Sequence, residues 1–395
     1  MMTAKRLFWI LFLLNLFNYI DRQVLYAVFP LIKTDLHLLD WQLGALASVF
    51  MLVYMCYAPL VGYFADRTPR HKWIGVSALL WSAATFACSW VKNYFSLLFT
   101  RGLIGVGEAG FTTLAQPFLA EHYPSEKRAS TLALFGLALP AGSALGYLLG
   151  GLVGQHWGWR AAFMLAGVPG LFLGLLALTR LQDRRRAEQK GANTPRLTDY
   201  LLLLQNKRFV FLCLAHAMLT FVIGGLSAWM PTYLHRYLAF DVARAGAVFG
   251  VLVVLCGAAG TYLGGVLADL FFKRTRRAYF GVLAAAFVFL LPVAWLGLRT
   301  NCATLALACF GGAIILLFLP TGPVAAALVS LTSPKVQAMA FAINIFLIHA
   351  LGDALSPFLV GRASDAWGLK AAVLCCCLAA LPGLFFTWLA ARHYK

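Results

Sequence analysis

The chain has 395 residues, 62% hydrophobic and 12% charged, about half the charged fraction of a soluble protein. This composition excludes a soluble enzyme or binding module and makes the chain an integral membrane protein. The net charge of +18 would suit nucleic acid, but its distribution does not: 22 Lys and Arg fall on alternate loops and the two termini, 8 on the other loops, and 2, Arg22 and Arg101, inside apolar segments. That asymmetry follows the positive-inside rule, places both termini in the cytoplasm and removes nucleic acid as a partner.

Twelve apolar segments follow in chain order, at about 7–30, 42–64, 73–91, 95–120, 129–154, 160–181, 209–234, 243–272, 279–298, 302–331, 336–361 and 369–391. The first is too long for a cleaved signal peptide, carries Asp21-Arg22 inside it and lacks a small-residue cleavage site, so it reads as an uncleaved span. The polar, basic stretch 182–208, with Arg184-Arg185-Arg186 and Lys190, is a cytoplasmic linker between an N-terminal bundle (1–181) and a C-terminal bundle (209–395). The halves echo each other. Gly62-Tyr63-Phe64-Ala65-Asp66-Arg67 returns as Gly265-Val266-Leu267-Ala268-Asp269-Leu270, followed by Lys273-Arg274. Pro124-Ser125-Glu126-Lys127-Arg128-Ala129 returns as Pro334-Lys335-Val336-Gln337-Ala338. Six helices, a basic linker and six more predict an all-α membrane fold of two six-helix bundles related by a pseudo-two-fold along the membrane normal, with the substrate cavity between them.

Chemistry inside the membrane is concentrated in a few residues. In the first segment, Asn18-Tyr19-Ile20-Asp21-Arg22-Gln23 sets an acid beside a base. Helix neighbours point about 100° apart, so both cannot face lipid, and each charge costs on the order of 3 kcal/mol unless paired or hydrated. The fourth segment contains Arg101-Gly102-Leu103-Ile104-Gly105-Val106-Gly107-Glu108-Ala109-Gly110. Its G-x-G-x-x-G has no preceding strand, so the glycines read as close helix contacts and not as a nucleotide loop. Arg101 and Glu108 are two turns apart on one face, and Arg101 lies about 9 Å below the external end of its span, comparable in depth to Asp21. Asp21, Arg22, Arg101 and Glu108 are therefore expected to form one network between the first and fourth spans. Gly142, Gly146, Gly150 and Gly154 bare one face of the fifth span for helix packing. Pro140, Pro169, Pro231, Pro320 and Pro357 are candidate kinks. In the second half, His216 reads as an interhelical hydrogen-bonding group, whereas His349 and Asp353 share a helix face at i, i+4. The nine cysteines have no ligand spacing, so neither disulfides, a metal site nor a cofactor is expected.

Residues 62–72, Gly62-Tyr63-Phe64-Ala65-Asp66-Arg67-Thr68-Pro69-Arg70-His71-Lys72, resemble the signature loop of the major facilitator superfamily, with Pro69 in place of its usual second glycine. The resemblance makes Gly62, Asp66, Arg67 and Arg70, with Asp269 and Arg274 in the second half, gating residues. In this reading Gly62 lets two helices approach, and Asp66 stabilises the outward-open state from the cytoplasmic side. The 18–23 and 101–110 motifs, Pro140-Ala141-Gly142-Ser143-Ala144-Leu145-Gly146-Tyr147 and His349-Ala350-Leu351-Gly352-Asp353-Ala354-Leu355-Ser356-Pro357 together resemble the spinster branch. That resemblance implies transport of amphipathic lipids such as lysophospholipids and sphingoid phosphates. It also implies proton coupling through Asp21 and Glu108, with Arg22 as electrostatic partner. Arg22 and Arg101 are then candidates for the substrate head group, and Asn18, Tyr19, His349 and Asp353 for the cavity.

Two transport readings stand side by side, because the first two motifs also resemble symporters of sugar acids: a proton-coupled carrier of an amphiphile, and a symporter of small organic anions. A lipid-modifying membrane enzyme has no Ser-His-Asp order, metal-ligand cluster or Walker loop to support it. The expected setting is a bacterial inner (plasma) membrane. The expected partners are a lipid-like or small-molecule substrate, protons and membrane lipids, and the expected state is a monomer.

Overall fold

A computed structural model describes residues 4–65, 68–182, 202–273, 275, 277–333 and 336–392. Most of the linker (183–201, with Arg184-Arg185-Arg186 and Lys190), Asp66, Arg67, Arg274, Pro334 and Lys335 lie outside the described residues. Among the described residues there is no strand. The helices are α1 (Ala4–Ala27), α2 (Phe29–Leu36), α3 (Asp40–Ala65), α4 (Arg70–Ala87), α5 (Tyr94–Glu121), α6 (Ser125–Gly136), α7 (Ala138–Trp157), α8 (Trp159–Arg180), α9 (Lys207–Tyr237), α10 (Val242–Phe272), α11 (Ala278–Arg299), α12 (Ala303–Phe318), α13 (Thr321–Ser330), α14 (Gln337–Ile348), α15 (Ser356–Trp367), α16 (Leu369–Cys377) and α17 (Ala380–Arg392).

Ten described helical stretches are long and apolar enough to cross a membrane by length and composition alone. The first and fourth expected spans, α1 and α5, are not among the ten, and these are the helices that carry Asp21-Arg22 and Arg101…Glu108. Several prolines break helices instead of bending them. Proline clashes with the carbonyl four residues back. For Pro140 that residue is Gly136, where α6 ends, and for Pro357 it is Asp353, where a π-helical segment (His349–Asp353) ends. Pro320 separates α12 from α13, whereas Pro169 and Pro231 sit inside continuous helices.

The chain clusters into two compact units, Met1–Gln189 with Met230–Val251, and Lys190–Trp229 with Leu252–Lys395. In the first, the glycine face of α7 lies on α1. A Cβ added at Gly142 would stand 2.6 Å from the Leu16 carbonyl oxygen, and one at Gly146 2.6 Å from that of Ile20. Only glycine allows this approach, and it fixes the turn of α1 that carries Asp21 and Arg22. Gly146→Ala is expected to lower stability by about 1–3 kcal/mol through overpacking, read as a lower thermal unfolding midpoint in detergent. Gly136→Ala, where nothing lies within 4 Å of the added carbon, is the matched control and should leave the midpoint unchanged or raise it.

The 230–251 segment joins the first unit for equally local reasons. Arg236 donates to both carboxylate oxygens of Asp40 at 2.7 Å, and Lys33 Nζ reaches Asp40 Oδ1 at 2.5 Å. Gly250 lies against Ala144 and Tyr147 of α7. Nearby, Asp35 accepts from Arg160 Nη1 at 2.7 Å, a bond that holds its carboxyl below the usual carboxylate range, and from Trp159 Nε1 at 3.1 Å. In the second unit, α9 up to Trp229 packs on the π-helical segment and α15, and Trp229 Nε1 donates to the Pro357 carbonyl at 2.9 Å.

Candidate functional site

α1 packs chiefly on α7 and α8, and its middle turn faces α5, Phe50 and Tyr54 of α3 and Thr85 of α4. Gly105 brings α5 against the α3 backbone at Phe50 and Tyr54, and Gly107 brings it against α4 at Trp81. The glycines of the G-x-G-x-x-G stretch are thus helix contacts, and they place Arg101 and Glu108 opposite α1. The four ionisable groups then pair across helices. Arg22 Nε donates to Glu108 Oε2 at 2.6 Å, and Arg101 Nη1 stands 3.7 Å from Asp21 Oδ1. The sequence neighbours Asp21 and Arg22 diverge, and each meets an opposite charge from α5. The set is neutral as a whole, and the Arg101, Asp21 and Glu108 side chains are buried, whereas that of Arg22 keeps 14% exposure. Of the two arginines, Arg22 is the one whose side chain keeps some exposure.

Aromatic rings complete the surroundings. The Arg22 guanidinium carbon lies 5.2 Å from the Tyr19 ring centroid and 5.1 Å from those of Phe50 and Tyr54; Arg101 lies 5.1 Å from the same Phe50 ring. Cation–π contacts of this kind contribute about 0.5–2 kcal/mol each and hold both guanidiniums while leaving their N–H edges to other partners. Thr112 donates to the Glu108 carbonyl at 2.9 Å, which leaves its oxygen to accept from the Tyr54 hydroxyl at 2.7 Å. Thr85 Oγ1 of α4 donates to Asp21 Oδ2. Asn18, one turn before Asp21, is fully buried, and its side-chain amide bonds to none of the described residues.

The residues expected at the gates are placed differently. Arg70 is buried and pairs with Glu121 at the end of α5, Nη1 to Oε1 at 2.7 Å and Nη2 to Oε2. At Gly62 an added Cβ would meet Thr113 Cγ2 at 4.0 Å, an ordinary contact, so the expected close helix approach does not occur there. Asp269 is exposed on α10, and Asp66, Arg67 and Arg274 lie outside the described residues. In the second unit His349 Nδ1 bonds Asp353 Oδ1 at 2.9 Å within the π-helical segment, where Ala354 N–H donates to the His349 carbonyl five residues back at 3.1 Å. His216 Nδ1 is 3.2 Å from Asn344 Oδ1, an interhelical hydrogen bond.

Residues 11–357 match the profile of the Major Facilitator Superfamily. The chain is 34% identical over 382 residues to the sphingosine-1-phosphate transporter SPNS2 of Mus musculus, covering 90% of this chain and 69% of that protein. It is 32% identical over 378 residues to Protein spinster of Drosophila melanogaster, covering 90% and 61%. The chain belongs to the spinster family of the major facilitator superfamily. A solved bacterial homologue of the human lysosomal transporter spinster, inward-facing and unoccupied, superposes with a TM-score of 0.89 at 22% identity, over 98% of this chain and 97% of that one. That likeness concerns the fold, the twelve-helix major facilitator architecture.

This spinster-family protein is thus an integral membrane transporter and not an enzyme. Sequence reasoning missed Phe50, Tyr54, Thr85 and Thr112 around its charged centre, Asn344 beside His216, and the Lys33–Asp40–Arg236 cluster. Phe50 and Tyr54 had a signal, an aromatic pair at i, i+4 on the second span. Thr85 had none, because a single hydroxyl in an apolar helix most often bonds its own backbone.

Proposed function

We propose that this spinster-family transporter moves an amphipathic anionic or zwitterionic lipid, such as a lysophospholipid or a sphingoid phosphate, by proton-coupled alternating access. The observation that carries the reading is Arg22: a caged, partly exposed cation tied to a buried carboxylate. Protonating Glu108 would release Arg22 to an anionic head group, and deprotonating it would take Arg22 back, so proton and substrate binding are linked through one guanidinium. Asp21 and Arg101 form the second half of the same centre, with Asn18 and Tyr19 beside it. On α3, beside Tyr54, the open apolar face of Leu52, Val53, Cys56, Tyr57 and Leu60 suits an alkyl chain. The name of the mouse relative, a sphingosine-1-phosphate transporter, supports the same substrate class.

The remaining assignments belong to this reading. The bundles 1–181 and 209–395 exchange access, with Gly62, Asp66, Arg67, Arg70, Asp269 and Arg274 at the gates and His349 and Asp353 in the cavity. The protein works as a monomer in a bacterial inner membrane with both termini cytoplasmic. Purified protein should be stabilised against thermal unfolding by sphingosine 1-phosphate or lysophosphatidylcholine and not by glucuronate, and proteoliposomes should take up the stabilising lipid faster under a proton gradient than after an uncoupler. Stabilisation by glucuronate alone would select the organic-anion symporter instead.

A further inference from the structure

The Asp21 carboxylate is held from three helices. α1 supplies it, α5 brings Arg101 to Oδ1, and α4 brings the Thr85 hydroxyl to Oδ2. Thr85 is fully buried. Its hydroxyl bonds across to another helix, whereas several helical threonines of the described residues bond their own backbone. Thr112, Thr179, Thr220 and Thr387 each donate to the carbonyl four residues back, at 2.9, 2.8, 3.0 and 2.7 Å. Thr85 makes no such bond among the described residues and directs its proton across to Asp21. The turn that carries it is fixed by α8: a Cβ at Gly167 would stand 2.7 Å from the Phe86 amide nitrogen and 2.9 Å from the Ser82 carbonyl oxygen.

The other groups around Asp21 are few. α5 presents Arg101 and Glu108, α1 itself Arg22, and α4 the Cys88 thiol, whose Sγ bonds Thr100 Oγ1 at 3.1 Å. α7 brings Gly142, Gly146 and Gly150 to this stretch of α1, with the Ser143 hydroxyl accepting from Gln23 Nε2 at 3.5 Å, and α8 carries charge only at its two ends, Arg160 and Arg180. Among the described residues, Thr85 is therefore the one uncharged donor on the carboxylate. A hydroxyl donor favours the ionised form of a carboxyl, and its removal favours the protonated form.

We propose that Thr85 is a positioning residue of the coupling centre, holding the Asp21 carboxylate towards Arg101 and setting the pH at which Asp21 takes up its proton. The proposal rests on the reading of Asp21 as a proton carrier. The test is a pH titration of reconstituted protein by infrared difference spectroscopy, following the protonated-carboxyl C=O band assigned to Asp21 by its loss in Asp21→Asn. Thr85→Val, which keeps the side-chain shape, is expected to move the midpoint to higher pH by about one unit, and Thr85→Ser to restore it. Should the valine variant not fold, Thr85→Cys, with a weaker donor, should move the midpoint in the same direction by less. A midpoint unchanged in the folded Val or Cys variant, or a serine variant that behaves like valine, overturns the role of Thr85. Proton-driven uptake of sphingosine 1-phosphate that survives in Asp21→Asn overturns the proton-carrier reading itself, and the role of Thr85 with it. Loss of that uptake in Asp21→Asn together with an unmoved Thr85→Val midpoint overturns the role of Thr85 alone.

Discussion

Glu108→Gln protein in proteoliposomes will not accumulate sphingosine 1-phosphate against its gradient when a proton gradient is imposed, yet will still bind it. Glutamine keeps the size of the side chain and an oxygen that can accept from Arg22 Nε, now 2.6 Å from the carboxylate, so packing around α5 is preserved. What glutamine cannot do is gain and lose a proton. Arg22 then faces a neutral acceptor in every state and stays available to an anionic head group, which separates binding from coupling. Asp21→Asn should behave alike. A purely architectural role for the two acids predicts instead that expression, thermal stability and binding fall together. Accumulation by well-folded Glu108→Gln protein under a proton gradient would show that this carboxyl is not the coupling group.

Arg101→Met will be among the most destabilising substitutions in the first unit, by about 3–5 kcal/mol. The Arg101 side chain is fully buried, and its countercharge on Asp21 is 1% exposed. Removing the cation leaves Asp21 with the Thr85 hydroxyl as its remaining close partner and strips the Phe50 ring of one of its two guanidinium neighbours. Methionine fills much of the volume, so the loss reports charge more than cavity. The double variant Asp21→Asn/Arg101→Met removes both charges and should recover most of the stability, because a buried pair replaced as a pair is often close to neutral. Thermal unfolding midpoints in detergent of the two single variants and the double variant close the cycle. A double variant as unstable as Arg101→Met alone would mean that packing of the arginine stem, and not the ion pair, dominates.

Much of this molecule was legible in the chain because a bilayer leaves little choice. Long apolar runs must be helices, an excess of Lys and Arg on alternate loops orients them, and a charge inside such a run must face protein. That reasoning singles out Asp21, Arg22, Arg101 and Glu108, and the seven-residue spacing on α5 already sets its two charges on one face. The bare glycine stripe of α7 likewise announced a close helix contact without naming its partner. Which charge meets which was decided only by the packing. Adjacent residues on α1 diverge by about 100°, so Asp21 and Arg22 do not serve each other, and the glycine approaches of α5 to α3 and α4 set the crossed pairing. Only the folded chain leaves Arg22 partly exposed while sealing Arg101, turns Thr85 towards Asp21, and binds Arg236 to Asp40 across 196 positions of sequence. These contacts depend on the depth and rotation of whole helices against each other, quantities that no local pattern of residues encodes.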